Sequence, residues 1–447
     1  MAEAERKSMP PSVVPEDVTS DDAHAMGHNP LPILRQVVAA CVYPELLDGL
    51  VLPEAAQNRA RRALRDMEEG NVGGYNHQHR SLVVPARVAR FLKRRDGGVP
   101  SDPRNIVICN GTASILPFVY SLVVDETAAL PTAVLVPVPG PRLHGAAAGL
   151  AGAVAVPYSL AEERGWDVDG DAVRRALQQA RARCHPKVLC VVNPGDPTGH
   201  VLSRQSMEAI IRLVAEENLL LLADEVQQER AFLLDRPFLS FKRVLWEMGA
   251  PLASTVQLVS FYSLSKSVAG ESGFRSGFLE LVNVEEGVVL PFHVAQSIPR
   301  PCVLGRILLD ILMDPPDEGD PIQKALEEHR GALLHSLAHN ARLVQEVLAR
   351  APGICCHPVQ GGARAFPRIQ LPPRALRHAQ ELGLEPDVFF CRELLEATGI
   401  VVAPGSEFGQ PEGTHHVGLS LLPPPEKLTQ ILHTLTRFYA AFLLRFS

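Results

Sequence analysis

The sequence of 447 residues lacks the features that mark several broad classes of protein. No apolar run approaches the roughly 18 residues that a membrane-spanning helix needs. The formal net charge is −7, whereas a general nucleic-acid binder is usually basic. The eight cysteines form no CxxC pair and no metal-like spacing, which favours free thiols in a reducing compartment. We therefore expect no metal site, and neither a membrane nor a nucleic acid among the partners.

The first residues also lack the pattern of a targeting segment. The first 22 residues carry six acidic and only two basic side chains, unlike a secretory or mitochondrial leader. A cytoplasmic protein is the expectation that follows. Residues 1–25 are polar and contain three prolines between positions 10 and 15, which predicts a flexible N-terminal tail.

Beyond the tail, apolar residues recur with the periods of regular structure. A helical period predicts an N-terminal helical segment over residues 26–69. Short apolar runs then alternate with amphipathic helical stretches, which is typical of a mostly parallel sheet covered by helices on both faces. The seven predicted strands are Ile106–Cys109, Val134–Val138, Ala153–Tyr158, Val188–Val192, Leu219–Ala223, Val256–Phe261 and Gly277–Leu281.

This alternation predicts an α/β fold with two domains after the N-terminal segment. Residues 70–320 would form the large domain around the seven-stranded sheet. Residues 321–447 begin with a long helical stretch, and then short strands alternate with further helices. That pattern indicates a smaller C-terminal α+β domain.

Residues that could bind a ligand or take part in a reaction follow several of the predicted strands. In such sheets, ligands bind at the carboxyl ends of the strands. A glycine and hydroxyl loop that opens a helix suits a phosphate, a carboxylate can pair with a ring nitrogen, and a lysine can form an imine. The segments in question are Gly111–Ser114, Asn193–Gly199, Asp224–Val226 and Ser263–Lys266.

These segments resemble motifs of the class I aminotransferases of fold type I, which use pyridoxal phosphate (PLP), and in particular the alanine aminotransferases. The resemblance rests on Asn193–Gly199 (NPGDPTG), Leu222–Val226 (LADEV) and Ser260–Gly277 (SFYSLSKSVAGESGFRSG). It covers roughly residues 22–447, and the motifs stand in the family's order at strand ends.

The resemblance implies PLP as the cofactor and assigns roles around it. Lys266 would form the covalent imine with PLP and move protons at the substrate α-carbon, and Asp224 would keep the pyridine nitrogen protonated. Tyr75 would reach the phosphate bound in a neighbouring subunit, which implies a homodimer with shared sites. The other implied phosphate ligands are Ser263, Arg275, Gly111, Thr112 and Ala113.

Two cofactor-binding positions depart from the family pattern. Asp196 stands where the family has an asparagine that donates to the phenolic oxygen of the cofactor. An ionised carboxylate only accepts hydrogen bonds and cannot replace that donor. Gln227 stands where the family has a tyrosine, and its amide can still donate. We nevertheless place both residues beside the cofactor.

The substrate side departs further. Gly418 falls where the family has the arginine that grips the substrate α-carboxylate, and Asp21 falls where a glycine helps to seat it. Loss of two charge-assisted hydrogen bonds would cost roughly 3–6 kcal/mol of binding energy. Arg364 is a candidate replacement for the missing cation.

The leading hypothesis is a transaminase that converts L-alanine and 2-oxoglutarate to pyruvate and L-glutamate, with activity weakened or altered by Gly418. Two alternatives stay open. Without the carboxylate anchor, the same cofactor could support a lyase or decarboxylase reaction. The chain could also be a catalytically impaired relative that acts as a binding or dimerisation partner.

Overall fold

The computed structural model describes residues 15–67, 70–74, 82–289, 301–314 and 319–447. Its strands in chain order are β1 Glu16–Asp17, β2 Ile106–Cys109, β3 Thr132–Val138, β4 Val154–Ala161, β5 Asp167–Val168, β6 His185–Val192, β7 Leu220–Asp224, β8 Leu258–Ser263, β9 Gly277–Val282, β10 Ile354–Cys355, β11 Arg364–Ala365, β12 Arg368–Ile369, β13 Ile400–Val401, β14 Ala403–Pro404 and β15 Val417–Ser420. The α-helices are α1 Pro32–Val42, α2 Glu54–Arg65, α3 Val83–Arg95, α4 Thr112–Ser121, α5 Arg142–Leu150, α6 Gly170–Ala180, α7 Arg204–Glu217, α8 Phe241–Glu247, α9 Leu252–Thr255, α10 Val303–Met313, α11 Pro321–Leu348, α12 Pro373–Glu381, α13 Pro386–Thr398 and α14 Pro425–Arg445. No helix within these ranges is both long and apolar enough to cross a bilayer.

An eight-stranded sheet in the order β2-β9-β8-β7-β6-β3-β4-β5 forms the centre of the fold. The neighbours from β8 across to β4 pair in parallel, and antiparallel pairs stand at both ends of the sheet. All seven predicted strands are present, and the two-residue strand β5 adds an eighth at one edge. The predicted α/β class is confirmed. The continuous apolar runs of β7 and β8 are buried because helices cover both faces of a parallel sheet.

The connection between β6 and β7 shows why the chain folds this way locally. Helix α7 begins after Ser203, whose hydroxyl caps the backbone N–H of Ser206 at 3.0 Å. It ends at Asn218, which adopts a left-handed conformation at φ 51° and turns the chain into β7. Such a crossover keeps β6 and β7 parallel and brings their carboxyl ends to one edge.

The C-terminal residues form a second apolar core on the long helix α11. Helices α13 and α14 pack there through aromatic contacts, with Phe390 at 5.3 Å and edge-on to Phe442. Small antiparallel sheets join β11 with β15 and β14, and β10 with β12. The predicted long helix and terminal helix are both present.

Part of the predicted flexible tail is a packed strand. Strand β1 pairs in parallel with β13, and the N–H of Glu16 donates to the carbonyl of Gly399 at 2.8 Å. Val18 is buried in the C-terminal core, and its carbonyl accepts from the N–H of Ser420 at 2.9 Å. The expectation of flexibility up to residue 25 is thus wrong from residue 16 onwards. The buried Val18 and Ala23, together with the pairing of β1 with β13, hold a polar segment that composition alone marks as disordered.

Candidate active site

The strand-end segments singled out in the sequence meet at one edge of the sheet. Strands β6, β7 and β8 are parallel neighbours, so their carboxyl ends lie side by side. Asp224 closes β7 and Ser263 closes β8, and both are buried. Asn193 follows β6, and its side-chain oxygen accepts from the N–H of Leu202 at 2.9 Å. Asn193 therefore organises its loop.

Lys266 ends a short 3₁₀ helix, Leu264–Lys266, directly after β8. Its Nζ donates to the carboxylate of Asp21, and the two groups form an ion pair. Burial opposes ionisation of Asp21, but the charges of Lys266 and Arg364 outweigh it and lower the Asp21 pKa to about 2. The amine of Lys266, which would carry the cofactor, is therefore paired with the carboxylate of Asp21.

The carboxylate of Asp224 contacts a buried histidine, His144. Nε2 of His144 lies 2.8 Å from Oδ2 of Asp224, and its Nδ1 lies 3.0 Å from the hydroxyl of Tyr120. Burial disfavours the imidazolium, but Cys190 and Asp224 outweigh that effect and raise the His144 pKa to about 10. His144 was not among the predicted site residues. Its position soon after β3, at the same sheet edge, was the available signal.

The loop after β2 forms a cradle suited to a phosphate. Gly111 precedes helix α4 with φ +84°, and a Cβ there would lie 2.9 Å from Nη2 of Arg275. Arg275 itself donates through Nη1 to the carbonyl of Ser272 at 2.9 Å. Thr112 and Ala113 form the first turn of α4, where free backbone N–H groups and the helix dipole favour an anion. The structure therefore brings four of the predicted phosphate-binding residues together.

Asp196 lies against Arg364, with Oδ1 at 3.4 Å from Nη1 of the arginine. Burial raises the pKa of Asp196 and outweighs the opposing charge of Arg364. Gln227 is buried, and its side-chain oxygen accepts from Nη1 of Arg230 at 3.3 Å. The side-chain amide N–H groups of Gln227 remain its donors.

Arg364, the candidate replacement for the missing cation, lies in the same cluster as Asp21 and Asp196. Its Nη2 donates to the carbonyl of Thr19 at 2.6 Å, and its Nη1 lies 3.4 Å from Oδ1 of Asp196. Oδ1 of Asp21 is 4.0 Å away. The guanidinium also stands 5.3 Å from the ring centre of Phe408, within cation–π range. A cation is thus present near Lys266 even though Gly418 has no side chain.

The space at Gly418 is filled. A Cβ at this position would lie 3.2 Å from Cε2 of Phe408 and 3.3 Å from the Cβ of Ala403. Gly418 pairs with Ala403 in the β14–β15 ladder, so the backbone cannot easily move away. A side chain at position 418 would therefore crowd Phe408 and Ala403.

The predicted role of Tyr75 and the expectation of no metal site concern residues that the structure describes only in part. Tyr75 is outside the described residues, so the expected contact with a neighbouring phosphate stays a prediction. In the part of the chain that is described, no group of three or more His, Cys, Asp or Glu side chains could hold a metal ion.

Comparisons with known proteins agree with this geometry. The family described as aminotransferase class I and II matches residues 45–435. Alanine aminotransferase 1 of Homo sapiens is 46% identical over 427 residues, which cover 95% of this chain and 86% of that protein. Glutamate–glyoxylate aminotransferase 2 of Arabidopsis thaliana is 36% identical over 430 residues, or 95% of this chain and 88% of that one. The solved alanine aminotransferase from Pyrococcus furiosus superposes with a TM-score of 0.74 at 19% identity, covering 98% of this chain and 94% of that one.

Proposed function

Because the chain belongs to the class I and II aminotransferase family, we propose that it is a PLP-dependent transaminase acting on L-alanine and 2-oxoglutarate. The products would be pyruvate and L-glutamate. The observation that carries the proposal is the grouping of Lys266, Asp224 and the Gly111–Arg275 cradle at one edge of the sheet. The names of the relatives at 46% and 36% identity support the reaction type.

The residues present fit the cofactor. The cradle would be filled by a Cβ at Gly111, and Oγ of Ser276 beside Arg275 is buried with no partner among the described residues. Lys266 would bind the aldehyde carbon of PLP, Asp224 would face its ring nitrogen, and Arg275 with Ser263 would hold its phosphate. When bound, PLP supplies an electron sink that stabilises negative charge at the substrate α-carbon.

The chain's own residues position the groups that the reaction needs. His144 lies within hydrogen-bond distance of Asp224 and orients that carboxylate. Lys266 would accept and return the proton of the substrate α-carbon, which requires its neutral form. Nζ of Lys266 donates to Asp21, and this ion pair would have to break before the amine attaches the cofactor or transfers a proton.

Position 418 is a glycine and cannot supply a cation, so the substrate carboxylate needs a positive charge from another residue. We place Arg364 in that role because its guanidinium lies in the cluster around Lys266. Asp21 and Asp196 partly neutralise it, so the affinity for amino acids would be lower than that of an unpaired arginine.

The assembly and compartment are also part of the proposal. A cytoplasmic homodimer with Tyr75 reaching the partner's phosphate would complete each cofactor site. Sedimentation of the purified protein would test the dimer, and imaging of a tagged chain would test the compartment.

The function is tested with purified protein and added PLP. We expect pyruvate from L-alanine and 2-oxoglutarate in a coupled assay, and a borohydride-fixed PLP label on Lys266 in peptide mass spectra. No PLP-dependent oxo acid from any common amino acid would overturn the proposal. Release of an amine or an eliminated fragment would indicate a decarboxylase or lyase, and a label without turnover would indicate an impaired binding partner.

A further inference from the structure

Arg230 carries a buried positive charge without a full set of hydrogen bonds. It ends a short 3₁₀ helix, Gln228–Arg230, that follows β7, and none of its surface is exposed. Its Nη1 donates to Gln227 Oε1 at 3.3 Å. Its Nε and Nη2 are buried and have no partner among the described residues. A buried guanidinium with two unused donors is costly unless an anion binds it.

The acids around Arg230 are bonded to other groups. The charges of Asp21, Glu229, Asp196 and Asp22 all act on the guanidinium. Oδ1 of Asp22 accepts from the backbone N–H groups of His24 and Ala25, at 2.9 and 3.2 Å. Asp21, however, binds Lys266, and Asp196 lies against Arg364. Glu229 accepts from the hydroxyl of Tyr262 and from the N–H of Val268, at 3.0 and 2.7 Å. No carboxylate of the described chain therefore takes the two free donors.

The two free donors have the geometry of a carboxylate site. Nε–H and Nη2–H lie on one edge of the planar guanidinium and donate in parallel to two oxygens. The protein uses this edge elsewhere: Arg35 holds both oxygens of Glu271 through Nε and Nη2, each at 3.0 Å. Arg95 holds Asp96 in the same way, at 2.7 Å for both contacts.

We propose that Arg230 binds a carboxylate of the amino-acid or oxo-acid substrate through Nε and Nη2. The inference rests on the proposed transaminase function and adds a second cation to Arg364 at the substrate side. The two arginines belong to adjoining segments, because the carbonyl of Arg230 accepts from the N–H of Gly362 at 3.0 Å. Arg230 has no exposed surface, so the side chains that cover it must rearrange when the substrate binds. The Asp21–Lys266 ion pair belongs to the same cluster of charges and would have to move as well.

Glutarate is the probe for this proposal, since it has two carboxylates but neither an amino nor an oxo group and cannot react. Its binding is measured by calorimetry on purified protein in the presence of PLP. We expect Arg230→Met to weaken glutarate binding by roughly 10- to 100-fold, and Arg230→Lys to weaken it less, because a point charge replaces the two-donor edge. Propionate as a second probe shows whether one carboxylate suffices.

Arg59→Met is the matched control. Arg59 is also a buried arginine with an unpartnered Nε, but it lies in α2 and donates to carbonyls of α10. Its replacement should leave glutarate affinity unchanged. As a second readout, Arg230→Met should keep or raise the melting temperature of the unliganded protein, because removal of an unpaired buried charge is not destabilising.

Two results would overturn the proposal: wild-type protein that binds no glutarate, or Arg230→Met with unchanged glutarate affinity. Unchanged affinity together with a lower melting temperature of the variant would identify Arg230 as a structural counter-ion. The binding test requires no turnover. Arg230-dependent glutarate binding without pyruvate formation would therefore refute the proposed function alone, and turnover with Arg230-independent binding would refute this inference alone.

Discussion

Asp21 accepts a hydrogen bond from Nζ of Lys266, although 245 positions separate the two residues in the chain. The contact joins the lysine expected to carry the cofactor to an acid near the N-terminus of the chain. Imine formation needs a neutral amine, and a neighbouring carboxylate stabilises the charged amine. This pair is therefore the point where the chain departs most directly from a simple cofactor site.

Removal of the Asp21 charge should favour cofactor attachment. We expect Asp21→Asn to raise the apparent affinity for PLP at neutral pH about tenfold, because the amine no longer has to break an ion pair with a carboxylate before it reacts. An absorbance titration with PLP, followed by borohydride and mass spectrometry, measures the change. Asp22→Asn is the neighbouring control, and equal PLP affinity of wild type and Asp21→Asn would contradict the prediction.

The same pair makes the folded state sensitive to acid. The Asp21 pKa is lowered from 3.8 to about 2, so its contribution to stability is present above about pH 4 and is lost as the pH falls towards 2. The difference in free energy of unfolding between wild type and Asp21→Asn should therefore shrink as the pH falls from neutrality to about 3. Urea unfolding at several pH values checks this. A difference that grows on acidification would show that the sign is wrong.

Lys266→Ala should abolish covalent attachment of PLP and lower the rate of transamination by roughly 10²–10⁴-fold, because the proton carrier at the α-carbon is lost. Loss of the borohydride-fixed label in peptide mass spectra is the direct measurement. Lys242 is not a suitable control, because it is buried and forms an ion pair with Glu280. Lys324 is exposed and is the better control, so Lys324→Ala should keep both the PLP label and the rate of transamination. A label that persists in Lys266→Ala would place the attachment elsewhere.

His144 should support Asp224 through its charge. His144→Gln leaves a buried carboxylate without its cation, and we expect a loss of about 3–5 kcal/mol in the free energy of unfolding. Tyr120→Phe removes one hydrogen bond and should cost about 1 kcal/mol.

The His144 contribution also has a defined pH dependence. Since its pKa is raised from 6.5 to about 10, its stabilising effect is full below about pH 6.5 and is lost as the pH rises through 10. Wild type should thus lose stability relative to His144→Gln between neutral and strongly alkaline pH. Parallel stability profiles of the two proteins would argue against a charged His144.

An arginine at position 418 should not restore a strong carboxylate site by itself. Phe408 and Ala403 already lie at close contact with the position of a Cβ, so Gly418→Arg should destabilise the protein by about 1–3 kcal/mol. We expect the KM for alanine to stay within a few-fold of wild type. Combining Gly418→Arg with Phe408→Ala should recover stability and lower KM. A single Gly418→Arg variant with full stability and a much lower KM would contradict this account.

The sequence predicted the central sheet well, because its strands are continuous apolar runs whose period differs clearly from that of the helices around them. The strand-end rule likewise placed Lys266, Asp224 and Gly111 at one edge, since parallel strands share a direction. Strand β5 was not predicted. It has two residues, and Val168 fits the amphipathic period of the following helix equally well.

The contacts that modify the site could not be read from the sequence. The ion pair of Asp21 depends on β1 pairing with β13, which brings together residues almost 400 positions apart. The raised pKa of Asp196 depends on burial, which only packing determines. Arg230 has neighbours in the sequence that give no sign of an unpaired buried charge.

The pairing of β1 with β13 has a mechanical consequence. Glu16 and Val18 are fastened to the C-terminal strands, whereas Lys266 stands on the central sheet. The ion pair of Asp21 with Lys266 therefore ties the C-terminal strands to the central sheet through a few residues of chain. Cleavage of the chain between residues 18 and 21 should uncouple the ion pair from the β1–β13 pairing.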